Sequence, residues 1–195
     1  VTGVQTCALP ILPSPTAWQT GQLLAQGVID RYVREEGRAP ESIGLSIWGT
    51  SAMRTQGDDV AQVLALLGVR PRWQPESRRV IGLEVIPIEV LGRARVDVVC
   101  RISGFFRDAF PHAIELLDEA IALVSALDER DEDNPIRAHR RRDAAALMRS
   151  GVDEAAAWRE AGFRVFGSPP GTYGAGILQL IDDRQWRGEI GRAHV

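Results

Sequence analysis

The chain has no lysine: all 23 of its basic residues are arginine. That absence removes some chemistry at once. A Walker A loop needs its lysine to reach phosphates, and a Schiff base needs a lysine amine, so neither lies within these residues. If ATP drives a reaction here, another subunit or another part of the chain must bind it. Arginine-only usage fits a GC-rich coding sequence. Cysteine is nearly absent too, with Cys7 and Cys100 alone. There is no paired-cysteine zinc motif, no nucleophile elbow and no zincin helix. No apolar run approaches the ~18 residues of a membrane span, and no secretory signal is visible, which predicts a cytoplasmic chain. The net charge is only -3, so no electrostatic footprint for nucleic acid or an anionic membrane is present.

Both ends read as foreign. Residues Val1–Ile11 and Glu189–Val195 can be encoded by DNA strings of which the second contains the reverse complement of part of the first. Both strings resemble a common sequencing adapter. They are expected to be assembly scars and are excluded from fold reasoning, which leaves residues 12–188 as one domain-sized segment of a longer chain. Cys7 and His194 fall in the scars. Cys100 then remains as a lone thiol on a predicted buried strand, best read as a small apolar residue, and the histidines reduce to His112 and His139.

Apolar residues at Leu23, Leu24, Val28, Ile29, Tyr32 and Val33 predict a helix from about Trp18 to Glu36, ended by Gly37–Pro40. Gly44–Trp48 predicts a short strand and Asp58–Leu67 a helix closed by Gly68. Arg72–Trp73, Val80–Ile86 and Val96–Ile102 predict strands, the last a buried strand of a parallel sheet. From Gly104 to about Leu127 the pattern is helical, with Phe106, Phe110, Ala113, Leu117, Ile121 and Val124 on one core face. Pro111 is tolerated at a first helical position, so Gly104–Phe110 is alternatively a separate turn. Asn134–Ser150 and Asp153–Glu160 predict helices, and Arg164–Phe166 a last strand. A glycine- and proline-rich loop, Gly167–Gly176, precedes a helix from Ile177. Strands alternating with helices predict an α/β fold with a parallel-leaning sheet and flanking helices. Arg140–Arg142 reads as a solvated helix face.

Ligands of open α/β sheets sit outside the carboxyl ends of the strands. The turn after the strand at Val96–Ile102 carries Ser103, Gly104, Arg107 and Asp108 to that edge. The Arg107 guanidinium suits a carboxylate-bearing substrate; an Arg107–Asp108 or inter-helix ion pair is the equal alternative. Gly49–Asp58, with Thr50, Arg54 and Thr55, is the other turn at a carboxyl edge. Its helix start offers N–H groups to an anion, or is simply a connection capped by Asp58. On a continuous helix Asp108, His112, Glu115 and Glu119 fall in a row opposite the core face. They are candidate ligands for a divalent first-row metal, with His112, Glu115 and Glu119 as the metal set, or else a wet face. Tyr173, in the glycine-rich loop, is a candidate to lie against a flat ligand.

The order of these motifs carries more than any one of them. Gly44-Leu45-Ser46-Ile47-Trp48-Gly49-Thr50, Met53-Arg54-Thr55-x-Gly57-Asp58-Asp59, Leu64-Ala65-Leu66-Leu67-Gly68-Val69-Arg70-Pro71, Leu91-Gly92-Arg93-x-Arg95-Val96-Asp97-Val98, Ser103-Gly104-Phe105-Phe106-Arg107-Asp108 and Phe166-Gly167-Ser168-x-Pro170-Gly171-x-Tyr173-Gly174-Ala175-Gly176 occur in one series. This series resembles the family of the cobaltochelatase large subunit (CobN type) and the magnesium-chelatase H subunit, over about residues 16–188. The resemblance implies a fragment of a large multidomain, tetrapyrrole-binding subunit that inserts cobalt(II) into a corrin ring, hydrogenobyrinic acid a,c-diamide, in aerobic cobalamin biosynthesis. It implies an AAA+ ATPase subunit, which hydrolyses ATP with magnesium, and its integrin-I-domain partner. Cobalt is favoured over magnesium by Trp48-Gly49-Thr50 and by Phe105–His112; the magnesium relatives carry Lys-Thr-Tyr-Gly-Glu where this chain has Arg54-Thr55-Gln56-Gly57-Asp58. An inserting site must present the metal and accept ring protons. Asp108, His112 and Glu115 are the candidates for that chemistry. Arg107, Ser103, Gly104, Thr50, Arg54, Thr55 and Tyr173 are the candidates for substrate contact. Magnesium insertion into protoporphyrin, and a purely docking role, stand as alternatives.

Overall fold

The computed structural model describes residues 12–171. Along the chain run α1 (Pro15–Glu36), β1 (Ser42–Ile47), α2 (Gly49–Thr55), α3 (Asp58–Leu67), β2 (Val69–Trp73), β3 (Val80–Val85), α4 (Ile88–Leu91), β4 (Asp97–Ile102), α5 (Gly104–Ala109), α6 (Pro111–Ser125), α7 (Pro135–Arg149), α8 (Glu154–Glu160) and β5 (Val165–Gly167). Tyr173 and the helix expected from Ile177 lie outside the described residues. The main sheet is parallel, in the order β1-β4-β5. The pair β2-β3 is a separate antiparallel hairpin. Arg72–Trp73 and Val80–Ile86 therefore do not extend the parallel sheet. Only the short turn 74–79 joins β2 to β3, far less than a parallel crossover requires.

Helix boundaries follow from capping chemistry. The Ser14 hydroxyl accepts from the Ala17 N–H at 3.1 Å and Pro15 occupies the first turn, so α1 begins three residues before its apolar spacing implies. The Asn134 side chain caps α7 by accepting from the Arg137 N–H at 3.1 Å, and Asp153 caps α8 at 3.1 Å. α3 ends at Gly68 with φ 76°, a left-handed conformation that glycine adopts without strain.

Most of the apolar residues that mark α1 as a helix lie off its buried face, Ile29 being the exception. Leu23, Leu24, Val28 and Val33 are exposed, and the buried face is Ala17, Trp18, Gly21, Ala25 and Ile29. Small residues win because α1 lies almost in contact with α3. A Cβ at Gly21 would stand 2.5 Å from the Ala61 Cβ and 2.6 Å from the Gln62 N. α3 itself is buried from Val60 to Leu67. α3 and α6 pack on each other, and together they cover one face of the sheet. Ile47, Val98, Cys100 and Ile102 point into that core, as does the predicted α6 face of Phe106, Phe110, Ala113, Leu117, Ile121 and Val124. The other face is not closed in the same way: Ser42, Gly44 and Ser46 alternate outward on β1, and Val99 and Arg101 on β4. β4 is thus half-exposed, not a strand covered on both sides.

One buried ion pair joins the ends of five elements. Arg95, just before β4, is fully buried. Its Nε and Nη2 donate to the two Glu129 carboxylate oxygens, each at 2.7 Å. Nη1 donates to the Leu67 and Gly68 carbonyls at 3.0 Å, and Nη2 to the Ile86 carbonyl at 2.9 Å. Glu129 also accepts from the Asn134 amide at 2.9 Å. Beside it Arg93 donates to the Ala65 carbonyl at 2.6 Å and the Leu66 carbonyl at 3.2 Å, so two guanidiniums satisfy the open end of α3. Burial, with the neighbouring Arg95 charge second, lowers the Arg93 pKa.

Arg95→Ala leaves the Glu129 carboxylate without its partner. It should cost about 3–5 kcal/mol in urea unfolding, and Arg95→Lys should recover little of this because an ammonium cannot make the bidentate contact. Burial, with Asp118 and Asp97 adding, pushes the Cys100 thiol up to about 12. The folded chain should leave Cys100 unmodified by a thiol reagent at pH 8 and react after unfolding. A thiol raised in the fold contributes stability below its unfolded pKa. That contribution is lost as pH rises from about 9 toward about 12, and a unfolding series over that range checks the sign.

Candidate functional site

The three parallel strands finish level, since Ile47 pairs with Ile102 and Ile102 with Gly167. Three connections therefore emerge side by side at the carboxyl edge: Trp48 into α2, Ser103 into α5, and Gly167 into the loop that begins with Ser168. Ser103 ties the first two together. Its N–H donates to the Ile47 carbonyl at 3.0 Å. Its hydroxyl oxygen accepts from the Phe106 N–H at 3.2 Å and from the Gly49 N–H at 3.1 Å. One side chain thus caps α5 and holds the start of α2. Gly49 is needed there, because a Cβ would lie 2.5 Å from the Phe105 ring.

Arg107 ties in the third connection. Nε and Nη2 donate to the two Asp108 oxygens at 2.7 and 2.9 Å. Nη1 donates to the Ser168 carbonyl at 2.6 Å and the Pro169 carbonyl at 2.7 Å. Arg101 reaches the same loop through the Ser168 hydroxyl at 3.5 Å. The expected ion pair with Asp108 is present, and it positions a guanidinium that grips the start of the glycine-rich loop.

The turn expected over Gly49–Asp58 is instead the helix α2, preceded by Trp48 with no side-chain cap, and Gly57 precedes α3, with Asp58 as its first residue and not its cap. The first N–H of α2 is already given to Ser103, so this is not an open anion cradle. Thr50 and Arg54 are exposed on α2. The Thr55 hydroxyl turns inward, donating to the Ser51 carbonyl at 3.0 Å and accepting from the Asp58 N–H at 3.4 Å. Burial, with the Asp58 charge second, raises the Asp59 pKa, against the lowering effect of a Ser51 hydrogen bond and of Arg54.

The proposed metal row does not form. The helix breaks at Phe110, with φ -131° and ψ 49°, and α6 restarts at Pro111. Asp108 stays with Arg107 on α5. His112 and Glu115 meet at 3.3 Å and are both largely exposed. Glu119 does not join them, and among the described residues no group of three or more histidine, cysteine, aspartate or glutamate side chains is placed to hold a metal ion.

Sequence reasoning passed over a second polar centre at the opposite, amino end of the sheet. Asp97 is buried at the head of β4. One of its oxygens accepts from Arg164 Nε at 2.7 Å and the other lies 2.9 Å from His139 Nδ1. These partners are 67 and 42 residues away, so no local spacing reveals them. The available signal was an aspartate at the start of a strand whose neighbours are apolar. The arginine run beside His139 is also not simply solvated. Arg140 donates to the Ser125 hydroxyl at 2.7 Å and its guanidinium lies 5.8 Å from the centre of the Trp158 ring. No helix among the described residues is long and apolar enough to cross a membrane.

Residues 9–191 match the CobN/Magnesium Chelatase family, and the chain belongs to it. It is 52% identical over 175 residues to the aerobic cobaltochelatase subunit CobN of a Sinorhizobium species, covering 90% of this chain and 14% of that protein. The catalytic subunit of cobaltochelatase from Mycobacterium tuberculosis has the same fold, with a TM-score of 0.81 and 57% identity over 91% of this chain and 14% of that one. The magnesium-chelatase subunit ChlH of Oryza sativa subsp. japonica is more distant, 36% identical over 179 residues, 91% of this chain and 12% of that protein. The chain thus spans about one seventh of the length of its cobalt relatives.

Arg107→Ala should free the Ser168–Pro169 carbonyls and speed amide hydrogen exchange at Val165–Ser168 and Gly171, the prolines between them having no N–H. Global stability should fall by only about 1 kcal/mol, since the ion pair it removes is partly exposed. Unchanged exchange there would show that the loop is held by other contacts.

Proposed function

We propose that this segment is part of the large, tetrapyrrole-binding subunit of an ATP-dependent cobaltochelatase. In this reading the whole subunit inserts cobalt(II), as substrate, into a corrin ring, hydrogenobyrinic acid a,c-diamide, during aerobic cobalamin biosynthesis. An AAA+ ATPase and its integrin-I-domain partner supply the energy. The observation that carries it is the difference in similarity: 52% and 57% identity to cobaltochelatase subunits against 36% to a magnesium-chelatase subunit, over nearly the same residues. The same difference weighs against magnesium insertion. The lack of lysine agrees with ATP being bound elsewhere.

Within this reading the carboxyl edge meets the ring's carboxylate fringe. Arg107, with Ser103 and Gly104 beside it in the chain, Thr50, Arg54 and Thr55 on the neighbouring connection, and Tyr173, outside the described residues, are the substrate-side residues. Asp108 fixes the Arg107 guanidinium, and with His112 and Glu115 it is a candidate for the proton and metal chemistry. His112 and Glu115 are exposed close to the α5–α6 break, where they can meet an arriving cation.

The test is reconstitution of a full-length large subunit carrying this segment with its ATPase partners, cobalt(II) and the metal-free corrinoid, followed by the absorbance change on insertion. Insertion should require ATP and should be faster with cobalt than with magnesium and protoporphyrin. Arg107→Ala should weaken corrinoid binding by about tenfold or more, the scale of a lost charged hydrogen bond. Unchanged affinity and cobalt loading in that variant would remove Arg107 from the substrate site.

A further inference from the structure

The carboxyl edge also carries an apolar patch that its hydrogen-bond network does not explain. Trp48, directly after β1, is 49% exposed and is the only exposed tryptophan among the described residues. The others have their places. Trp18 is buried, Trp73 donates its indole N–H to the Pro13 carbonyl at 2.9 Å, and Trp158 lies against the Arg140 guanidinium. A side chain of this size is normally withdrawn from most of the surrounding water.

Two more large side chains stand with it. Met53 and Phe105 are 46% and 38% exposed. The Phe105 ring rests on the backbone of Gly49, the residue after Trp48, where a Cβ would come within 2.5 Å of it. Met53 lies one helical turn beyond Gly49, on the same stripe of α2. The patch is built before any ligand arrives. The Trp48 carbonyl accepts from the Ala52 N–H at 2.9 Å, and the Gly49 N–H is held by Ser103. Phe105 meets the buried Phe110 at 6.3 Å and 65°, an edge-to-face contact that fixes its ring.

Exposed apolar residues scattered singly need no explanation, but three gathered from two connections do. Ligand sites pair apolar and aromatic walls with a few placed polar groups. In open α/β sheets they lie beyond the carboxyl ends of the strands. Both conditions hold here. Arg54 is exposed next to Met53 on the connection after β1, and Arg107 follows Phe105 on the connection after β4. Each connection thus supplies both apolar surface and a guanidinium. A macrocycle with a conjugated apolar face and a fringe of carboxylates matches that combination.

Resting on the chelatase reading above, we propose that Trp48, Met53 and Phe105 form a platform on which one face of the corrin-type ring lies, while its carboxylates reach Arg54 and Arg107. The three side chains bind and orient the ring; they neither hold the metal nor move a proton. A ring covered on one face by protein takes its metal from the other, so the platform also fixes the side from which cobalt enters.

The test uses the full-length large subunit and metal-free corrinoid. Hydroxyl-radical oxidation followed by peptide mass spectrometry reads the three side chains directly, because tryptophan, methionine and phenylalanine all oxidise readily. Trp48, Met53 and Phe105 should label in the free subunit and be protected by saturating corrinoid. Trp48→Ala should weaken corrinoid binding by about tenfold or more, the scale of a lost aromatic contact with its buried area. Trp48→Phe, which keeps an aromatic face, should restore most of that affinity. Residues that stay unlabelled in the free subunit are covered by another part of the large subunit, which overturns the proposal. Labelling that corrinoid leaves unchanged, wild-type affinity in Trp48→Ala, or a Trp48→Phe as weak as Trp48→Ala overturns it too. The two claims fail differently. A wild-type subunit that binds no corrinoid refutes the chelatase reading and the platform with it. Corrinoid binding that Arg107→Ala weakens and Trp48→Ala does not removes the platform alone.

Discussion

A guanidinium withdrawn from water has to find a partner for each of its N–H groups, and Arg95 does so with five hydrogen bonds inside the core. Those bonds reach the end of α3, the end of β3 and the segment between α6 and α7. The side chain itself springs from the residue pair that opens β4. The position of β4 in the sheet is thus set from its amino end by a charge that cannot move without leaving Glu129 stranded. Everything at the carboxyl edge inherits that register. If β4 slid by one residue, Ser103 would no longer lie beside Gly49, and Arg107 would no longer reach the loop after β5. Gly68 belongs to the same arrangement: a Cβ there would meet the Arg95 Nη1 at 2.5 Å, so the tight end of α3 and the buried arginine fit only together.

The motifs that signalled the family divide on inspection into two kinds. Leu64–Gly68 and Arg93–Val96 belong to the buried network that Glu129 and Asn134 complete, and their spacing answers to packing. Ser103–Asp108 and Phe166–Pro169 belong to the strand ends, where Ser103 and Arg107 make bonds to backbone from other elements. A signature of this kind is therefore mostly a record of how the edge is assembled. Its polar residues hold a shape as well as offering groups to a substrate.

Much of the fold was legible in the sequence because it is locally encoded. Gly68 and Gly37 close helices where they stand. Asn134-Pro135 starts one, and Pro111 marks the restart of another. The six-residue core face of α5 and α6 followed from helical periodicity alone. What the sequence hid was non-local. The leucines and valines of α1 are as many as its alanines and glycines, yet it is Gly21 that Ala61 can approach. The hairpin β2-β3 looks like two strands of any sheet until the shortness of its turn is weighed. The candidate site was legible in its location and not in its wiring: Arg107 and Ser103 stand at the carboxyl edge as expected, but Asp108 shared a row with His112, Glu115 and Glu119 only on a helix that Phe110 interrupts. His139, Asp97 and Arg164 come from three distant stretches, and nothing short of the folded chain brings them together.

The shared hydroxyl of Ser103 has a mechanical side. Two helices start from adjacent strand ends, and their first turns hang on the same oxygen, with Gly49 pressed against Phe105 beside it. Neither helix start can shift without breaking a bond to that oxygen, so α2 and α5 share one anchorage on the rim of the sheet, beside the loop that Arg107 grips.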